Sequence, residues 1–538
     1  MTSSVKNLAD YSLRSGLIQS DGGVMAQNDF LLPDASVAPY GFIVVSGKPF
    51  ADLYDGPSLK RLGSPSATLY FVADGGPGAV QLRSSGGVPV DTVVFGAFSA
   101  PGWQGAPASL PAEFGRTLAR RLEQGDTDTA ADFAGVDVAT PGGPNDAFDA
   151  TDSDGDGIPD SAERPGGQLA GLPLYDWGAR TNQRDVFVEV DWMKPDGGSG
   201  FDPGLLPRRD ALQRVTDVML THGIHLHFDV GALFGAGVMD LGGGNELPFG
   251  CTLTLAGTVG PTSLFALKAA AFDLRRLASF HYLVFGNSLA DVACGGVGAT
   301  GRAELPGDDV AITLGNRGYA VSPVNQLNRL VNAMSSTVMH ELGHNFGLRH
   351  GGDVDANFKP NYLSVMNYLY QLEGLPQIGT AEGDRYYYFY GGLYGLCTGP
   401  PAIASRNSLT RNAFSAPGVF SLDYSDGKSL PLDKAALDET KGMGRAGSTA
   451  VDWSYDGAIQ AGAVSANVDA LGSALPVCPR NSPSTGVVTD HDDWAALNLP
   501  FNRTPLGSAL GKRAPRSPRA GIDLIGDHQP WSIETAQP

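Results

Sequence analysis

No stretch of the chain approaches the roughly 18 consecutive apolar residues that a membrane-spanning helix needs, so no segment reads as a span. Positive charge is short: 37 Lys and Arg face 57 Asp and Glu, for a net charge of −20. That disfavours a nucleic-acid partner, which calls for a basic face, and suits an acidic protein able to hold cations. The N-terminus, MTSSVKNLADYSLRSG, has neither an apolar core nor a cleavage site, so no signal peptide is legible in it. Cysteines are few, and no two stand as a CxxC pair, which argues against a structural zinc knuckle. An even count in an acidic, glycine-rich chain predicts disulfides and a secreted protein. The spacing of Cys251, Cys294, Cys397 and Cys478 suggests two local pairs, Cys251–Cys294 and Cys397–Cys478, with all three connectivities open. No internal repeat of fixed period is visible.

What is present is glycine and proline, 72 and 37 of 538 residues, a loop-rich composition suited to β-rich domains. The length allows several domains, each with its own core. Residues 1–147 read as short strands between turns: YGFIVVSG, ATLYFVADG, AVQLRSSGGVPVDTVVFG and RTLARRLEQGDTDTAADF. Their alternation predicts an all-β immunoglobulin-like sandwich. The ordered phrases VKNLADYSLRSG, PYGFIVVSG, VQLRSSGGVPVDTVVFG, LARRLEQGDTDTAADF and ATPGGPN resemble the lamin tail domain. The opening strand usual in that family has no counterpart here.

From Asp185 the pattern becomes α/β. DVFVEVDWM, IHLHFDVG, FHYLVFGN and DDVAITLG predict strands, and PRRDALQRVTDVMLTHG an amphipathic helix ending at Gly223. SPVNQLNRLVNAMSSTVMHELGHNFG predicts one long helix that stops at Gly347. Beyond residue 375 the periodicity is poor. The expected organisation is therefore a sandwich (1–147), an acidic loop and linker (148–180), an α/β core (181–375), a loop-rich subdomain (376–500) and a tail (501–538).

Three of the nine histidines fall within eleven residues, HELGHNFGLRH. On a helix, i and i+4 share a face, so His340 and His344 are spaced to bridge one zinc ion. Glu341, beside them and turned partly aside, is placed to act on water as a base and not as a ligand. Gly347 permits a sharp turn that brings back His350 as a third ligand. Three neutral histidines leave a fourth position open, which marks a catalytic site. The pattern HExxHxxGxxH, followed by SVMNY with Met366 sixteen residues after His350, resembles the metzincin zinc metalloproteases over roughly residues 180–375. That resemblance implies a methionine packed beneath the histidines and a role for Tyr368 near the metal, stabilising the oxyanion. It also implies that an extended peptide or protein substrate adds to an exposed edge strand near GRAELPG. HELGHNFG looks like the adamalysins, but SVMNY and Gly351 do not fit a named branch, so the resemblance stops at the clan. His225 and His227, on one face of a strand, and His491 read as ordinary residues, since no third ligand stands near them in sequence.

DSDGDGIPDSAE places oxygen donors at loop positions 1, 3, 5, 9 and 12: Asp152, Asp154, Asp156, Asp160 and Glu163. Gly157 sits at the turn, and Ile158 offers its carbonyl at position 7, the full EF-hand-type spacing for Ca²⁺. The core DSDGDGIPD also resembles the calcium repeats of thrombospondin type 3. DYSDG at Asp423 and DWSYDGAI at Asp452 are partial echoes that lack the final acid. The expected protein is a secreted metalloendopeptidase with one catalytic Zn²⁺ and at least one structural Ca²⁺. The competing reading is a calcium-dependent surface or matrix-binding protein with a vestigial zinc site, against which the intact Glu341 and Tyr368 argue.

Overall fold

A computed structural model describes residues 4–18, 24–26, 29–32, 34–46, 59–61, 77–96, 98–103, 107–108, 117–121, 125–136, 138–149, 151–195, 203–254, 263–289, 298–380, 382–383, 386, 412–469 and 485–500. The expected strand ATLYFVADG and the cysteines Cys294, Cys397 and Cys478 lie outside the described residues.

The N-terminal region forms small, mostly antiparallel sheets. Tyr11–Ile18 pairs with Val24–Ala26 and Phe30–Leu31 on one side and with Gly78–Ser84 on the other. Gly78–Ser84 continues into the hairpin partner Pro89–Phe95, as the turn in AVQLRSSGGVPVDTVVFG predicts. The run RTLARRLEQGDTDTAADF divides into two strands, Thr117–Arg120 and Phe133–Val136, paired antiparallel. Asp132, buried before the second of them, accepts from the Thr127 and Thr129 backbone amides and from the Thr127 hydroxyl, which shapes the intervening turn.

The second region is a mixed α/β layer. Its strands are β1 (Arg184–Met193), β2 (Ile224–Asp229), β3 (Glu246–Leu247), β4 (Phe280–Phe285), β5 (Gly301–Ala303) and β6 (Asp309–Ile312). Its helices are α1 (Arg209–Thr221), α2 (Leu264–Ala271) and α3 (Val324–Asn345). The strand order is β2-β1-β4-β6-β5, with β3 on the far end of β1. All neighbours are parallel except β5, which runs antiparallel to β6 at the edge. β1 and β4 are buried almost throughout because both faces of a parallel sheet are covered. On one face, Val186, Val188 and Val190 of β1 join Leu212, Val215 and Met219 of α1 and Val338 and Leu342 of α3. On the other, Phe187, Phe280 and Tyr282 join Ile158, Ala162, Leu169, Leu172 and Leu174. The acidic loop and the chain after it are thus packed onto the sheet's second face.

Past Met366 the described residues form little regular structure but keep a core. Trp453, Tyr455, Tyr386 and Met443 are buried together with Leu369 and Tyr370.

Candidate metal centre

Helix α3 carries the site. Its first six residues are partly or fully exposed, and from Leu330 onward every residue is buried. Such a helix is shaped by its tertiary surroundings rather than by amphipathic patterning. Gly347, at φ +98°, ends it and returns the chain to His350. His340, His344 and His350 are all buried, and one ligand atom from each lies within 4.8 Å of the others.

The ring orientations follow from the second partners. His340 Nδ1 lies 2.9 Å from the Val365 carbonyl, and His344 Nδ1 lies 2.8 Å from that of Leu348. A carbonyl only accepts, so both Nδ1 atoms carry the proton and both Nε2 atoms present lone pairs. Those two Nε2 atoms face each other at 3.1 Å. Two lone pairs at that distance repel unless a cation lies between them, and donors on one tetrahedral zinc ion stand about 3.3 Å apart. Burial, above all, holds the triad neutral: His344 is pushed down to about 4, and His340 and His350 lie well below the ordinary histidine value. Neutral, converging imidazoles with fixed tautomers fit a zinc ion.

Glu341 is buried beside the triad and faces the edge strand. A Cβ built at Gly301 of β5 would fall 2.5 Å from Glu341 Oε1, so only glycine leaves the carboxylate its place there. The strand expected near GRAELPG is β5 itself. Met366 is fully buried, and a Cβ at Gly343 would lie 2.4 Å from its sulfur, so the thioether packs against α3 between the two helical histidines. Val365, its neighbour, is the residue that holds His340. The Tyr368 ring lies 4.4 Å from that of His350 and 5.9 Å from that of His340, centroid to centroid. The structure therefore brings the three histidines, Glu341, Met366 and Tyr368 together.

Two supporting residues, Tyr424 and Asn345, gave no usable signal in sequence. Tyr424 Oη donates to the Met339 carbonyl, so the C-terminal region braces the zinc helix one residue before His340. Asn345 donates through Nδ2 to the carbonyls of Glu304 and Asp309, tying the helix end to the edge of the sheet. Gly343 and Gly301 could have been suspected, since an isolated glycine inside a helix or strand often marks a close approach.

The acidic loop forms a second cluster. Carboxylate oxygens of Asp152, Asp154 and Asp156 lie within 4.8 Å of one another, and so do those of Asp156, Glu163 and Asp185. Burial, reinforced by neighbouring carboxylates, pushes Asp156 up to about 9, Glu163 to about 8 and Asp154 to about 6. The remaining acid of the motif, Asp160, directs both oxygens to Ser153, accepting from its amide at 2.9 Å and its hydroxyl at 2.8 Å. Ile158 is buried in the core below the loop. Asp185, at the start of β1, was not singled out by the sequence, because one acid at a strand entrance is unremarkable there.

His227 stands apart from the triad and bonds Asp185 Oδ1 at 2.7 Å. His491 bonds Asp493, whose carboxylate also accepts from Tyr362 Oη. His225 enters no cluster of possible metal ligands among the described residues. Among the described residues no helix is long and apolar enough to cross a membrane.

No curated protein and no solved structure matches the chain. Residues 280–351, from β4 through the third histidine, match the model of the reprolysin-like metallo-peptidase family M12B. With its histidine triad inside that segment, the chain carries a reprolysin-like metallopeptidase domain.

Proposed function

We propose that the protein is a secreted, zinc-dependent endopeptidase that cleaves extended peptide segments laid along β5. The observation that carries this reading is the buried triad with Glu341 held between it and the edge strand. His340, His344 and His350 would hold Zn²⁺, which supplies Lewis-acid polarisation of the scissile carbonyl and lowers the pKa of water. Glu341 takes the proton of the attacking water and passes it to the leaving amine. The Tyr368 hydroxyl donates to the oxyanion as charge develops there. An extended substrate gains main-chain hydrogen bonds at β5, whose outer edge no strand covers among the described residues.

The loop at Asp152, Asp154, Asp156, Ile158, Asp160 and Glu163 binds Ca²⁺ on this reading, which the two carboxylate clusters support. A disulfide at Cys251 supports an oxidising, extracellular setting. The antiparallel N-terminal sheets support a lamin-tail-like sandwich. Casein hydrolysis by the full chain, with and without a zinc chelator, tests the central claim. Stoichiometric metal content with chelator-sensitive cleavage is expected. A protein that binds no zinc, or cleaves equally well without it, overturns the reading.

A further inference from the structure

Among the described residues, three groups of carboxylates, each with fully buried members, stand on or against the peptidase sheet. In two of them the chain supplies its own cation. Glu189 and Asp229 both meet Arg276 at 2.6 Å. Asp308 and Asp309 meet Lys268 at 2.8 and 2.7 Å. The third group is Asp152, Asp154, Asp156, Glu163 and Asp185, and among the described residues no lysine or arginine pairs with any of the five. Arg164 reaches only Asp160, at 3.9 Å.

Glu163 is the most telling member. It is 2 % exposed, and neither of its carboxylate oxygens has a hydrogen-bond partner. It nevertheless points at Asp156 and Asp185, with oxygens of the three within 4.8 Å of one another. A buried carboxylate so placed is costly unless something positive joins it. Carboxylate oxygens alone, in a loop of this spacing, select a hard cation such as Ca²⁺ over zinc.

We propose that the cation of this loop is a staple, with Asp185 as a ligand contributed by β1, an interior strand of the peptidase sheet. This rests on the calcium reading of the loop and extends it beyond the twelve residues of the motif. The loop and strand already touch, since the Asp185 amide donates to Asp156 Oδ2 at 2.6 Å. Three hydrogen bonds fix the Asp185 carboxylate. Oδ1 accepts from His227 Nε2 at 2.7 Å and from Gln183 at 2.8 Å, and Oδ2 accepts from the Arg180 amide at 2.9 Å. A carboxylate has roughly four lone-pair sites, so these bonds leave room for a cation while orienting the group. Because β1 pairs with β2, β3 and β4, a cation held by Asp185 binds the folded sheet and not merely a linker. By mass action it stabilises the peptidase domain that zinc and substrate require.

The test uses the full chain, stripped of calcium, and Ca²⁺ itself as the probe. Titration calorimetry and thermal unfolding are run on the wild type, Glu163→Gln and Asp185→Asn. Both variants should bind Ca²⁺ at least tenfold more weakly, and the rise in Tm that Ca²⁺ gives the wild type should vanish in Asp185→Asn. Should that variant fold poorly, hydrogen exchange of the wild type decides. Calcium should slow exchange in residues 184–189 as well as in 152–163. Full calcium affinity in Asp185→Asn, or slowing confined to 152–163, overturns the staple while leaving the loop reading intact. A wild type that neither binds Ca²⁺ nor gains thermal stability from it overturns both.

Discussion

The two donor clusters of this domain are built in opposite ways. The nitrogen cluster is local: three histidines from eleven residues, held by one helix, its cap and the turn that supplies Val365. The oxygen cluster is assembled: four acids from one loop, and a fifth from β1 more than twenty residues on. The first is positioned by tautomers and burial, the second by backbone amides that grip individual oxygens. Asp152, for example, accepts from Gly155 at 2.7 Å and Gly157 at 3.0 Å. A local cluster is open to loss of a single chemical group. An assembled one is open to loss of the fold that brings its parts together.

The largest effect should come from the chemistry of the local cluster. Glu341→Ala should lower kcat at least 10²-fold, on the order of what a general base contributes, while zinc stays bound, because Glu341 is not a ligand. Steady-state kinetics with metal analysis checks both halves. A variant with wild-type turnover would remove Glu341 from the mechanism. One that lost its zinc would mean the carboxylate helps to hold the metal.

Next comes Tyr368→Phe. Its hydroxyl acts on charge that appears only in the transition state, so kcat should fall, by up to about 10²-fold, with KM little changed. A rise in KM at constant kcat would make Tyr368 a binding residue only.

Acid should act on a histidine that supports the site without belonging to it. His281, on β4, is fully buried, and its Nδ1 lies 3.0 Å from Asn345 Oδ1. Burial is the main cause that lowers it to about 4. Its folded pKa lies below the unfolded value, so its contribution is present above pH 6.5 and is lost as pH falls toward 4. The difference corresponds to on the order of 3 kcal/mol. Unfolding midpoints at about pH 7 and about pH 4.5 should differ less in His281→Gln than in the wild type. An unchanged acid limb would assign the loss to other groups.

The contrast between local and assembled clusters also explains what the sequence could disclose. The triad, Met366, Tyr368 and the long helix were legible because they lie within one continuous stretch and keep a fixed spacing along it. The main strands of the sheet were legible from runs rich in β-branched and aromatic residues, such as DVFVEVDWM and FHYLVFGN. The three-residue strand β5 was legible only as a location, being too short for any alternation to show. Asp185 and Tyr424 were not legible at all: one meets the acidic loop at the entrance of β1, the other folds back from beyond residue 375 into the core around α3. The chain around Leu169, Leu172 and Leu174 read as a linker because its glycines and prolines hide any period, yet these leucines fill one face of the sheet.

Packing under the nitrogen cluster should matter less than its chemistry. In Gly343→Ala the new methyl would meet Met366 Sδ at 2.4 Å and Tyr424 Oη at 3.0 Å. Overpacking of this kind costs about 1–3 kcal/mol. Denaturant unfolding of the zinc-loaded protein should show that loss. Full stability would mean that the methionine turn can shift without cost, and that it does not press on the helix.

The smallest effect expected is that of calcium on zinc content. Five carboxylates share the loop cluster, and without a cation they must repel one another or take up protons, either of which removes the tie that gathers them, so the loop should open. The triad depends on imidazole nitrogens held by Val365 and Leu348, none of which touches that loop. Mild withdrawal of calcium by a selective chelator should therefore leave zinc near one per chain. Limited proteolysis run in parallel should show new cuts only when calcium is removed. They should fall within about residues 150–165, because the leucines beyond stay packed on the sheet. Cutting that ignores calcium would reduce the acidic run to a solvated loop. Zinc lost in step with calcium would mean that the two clusters, so differently built, are coupled through β1.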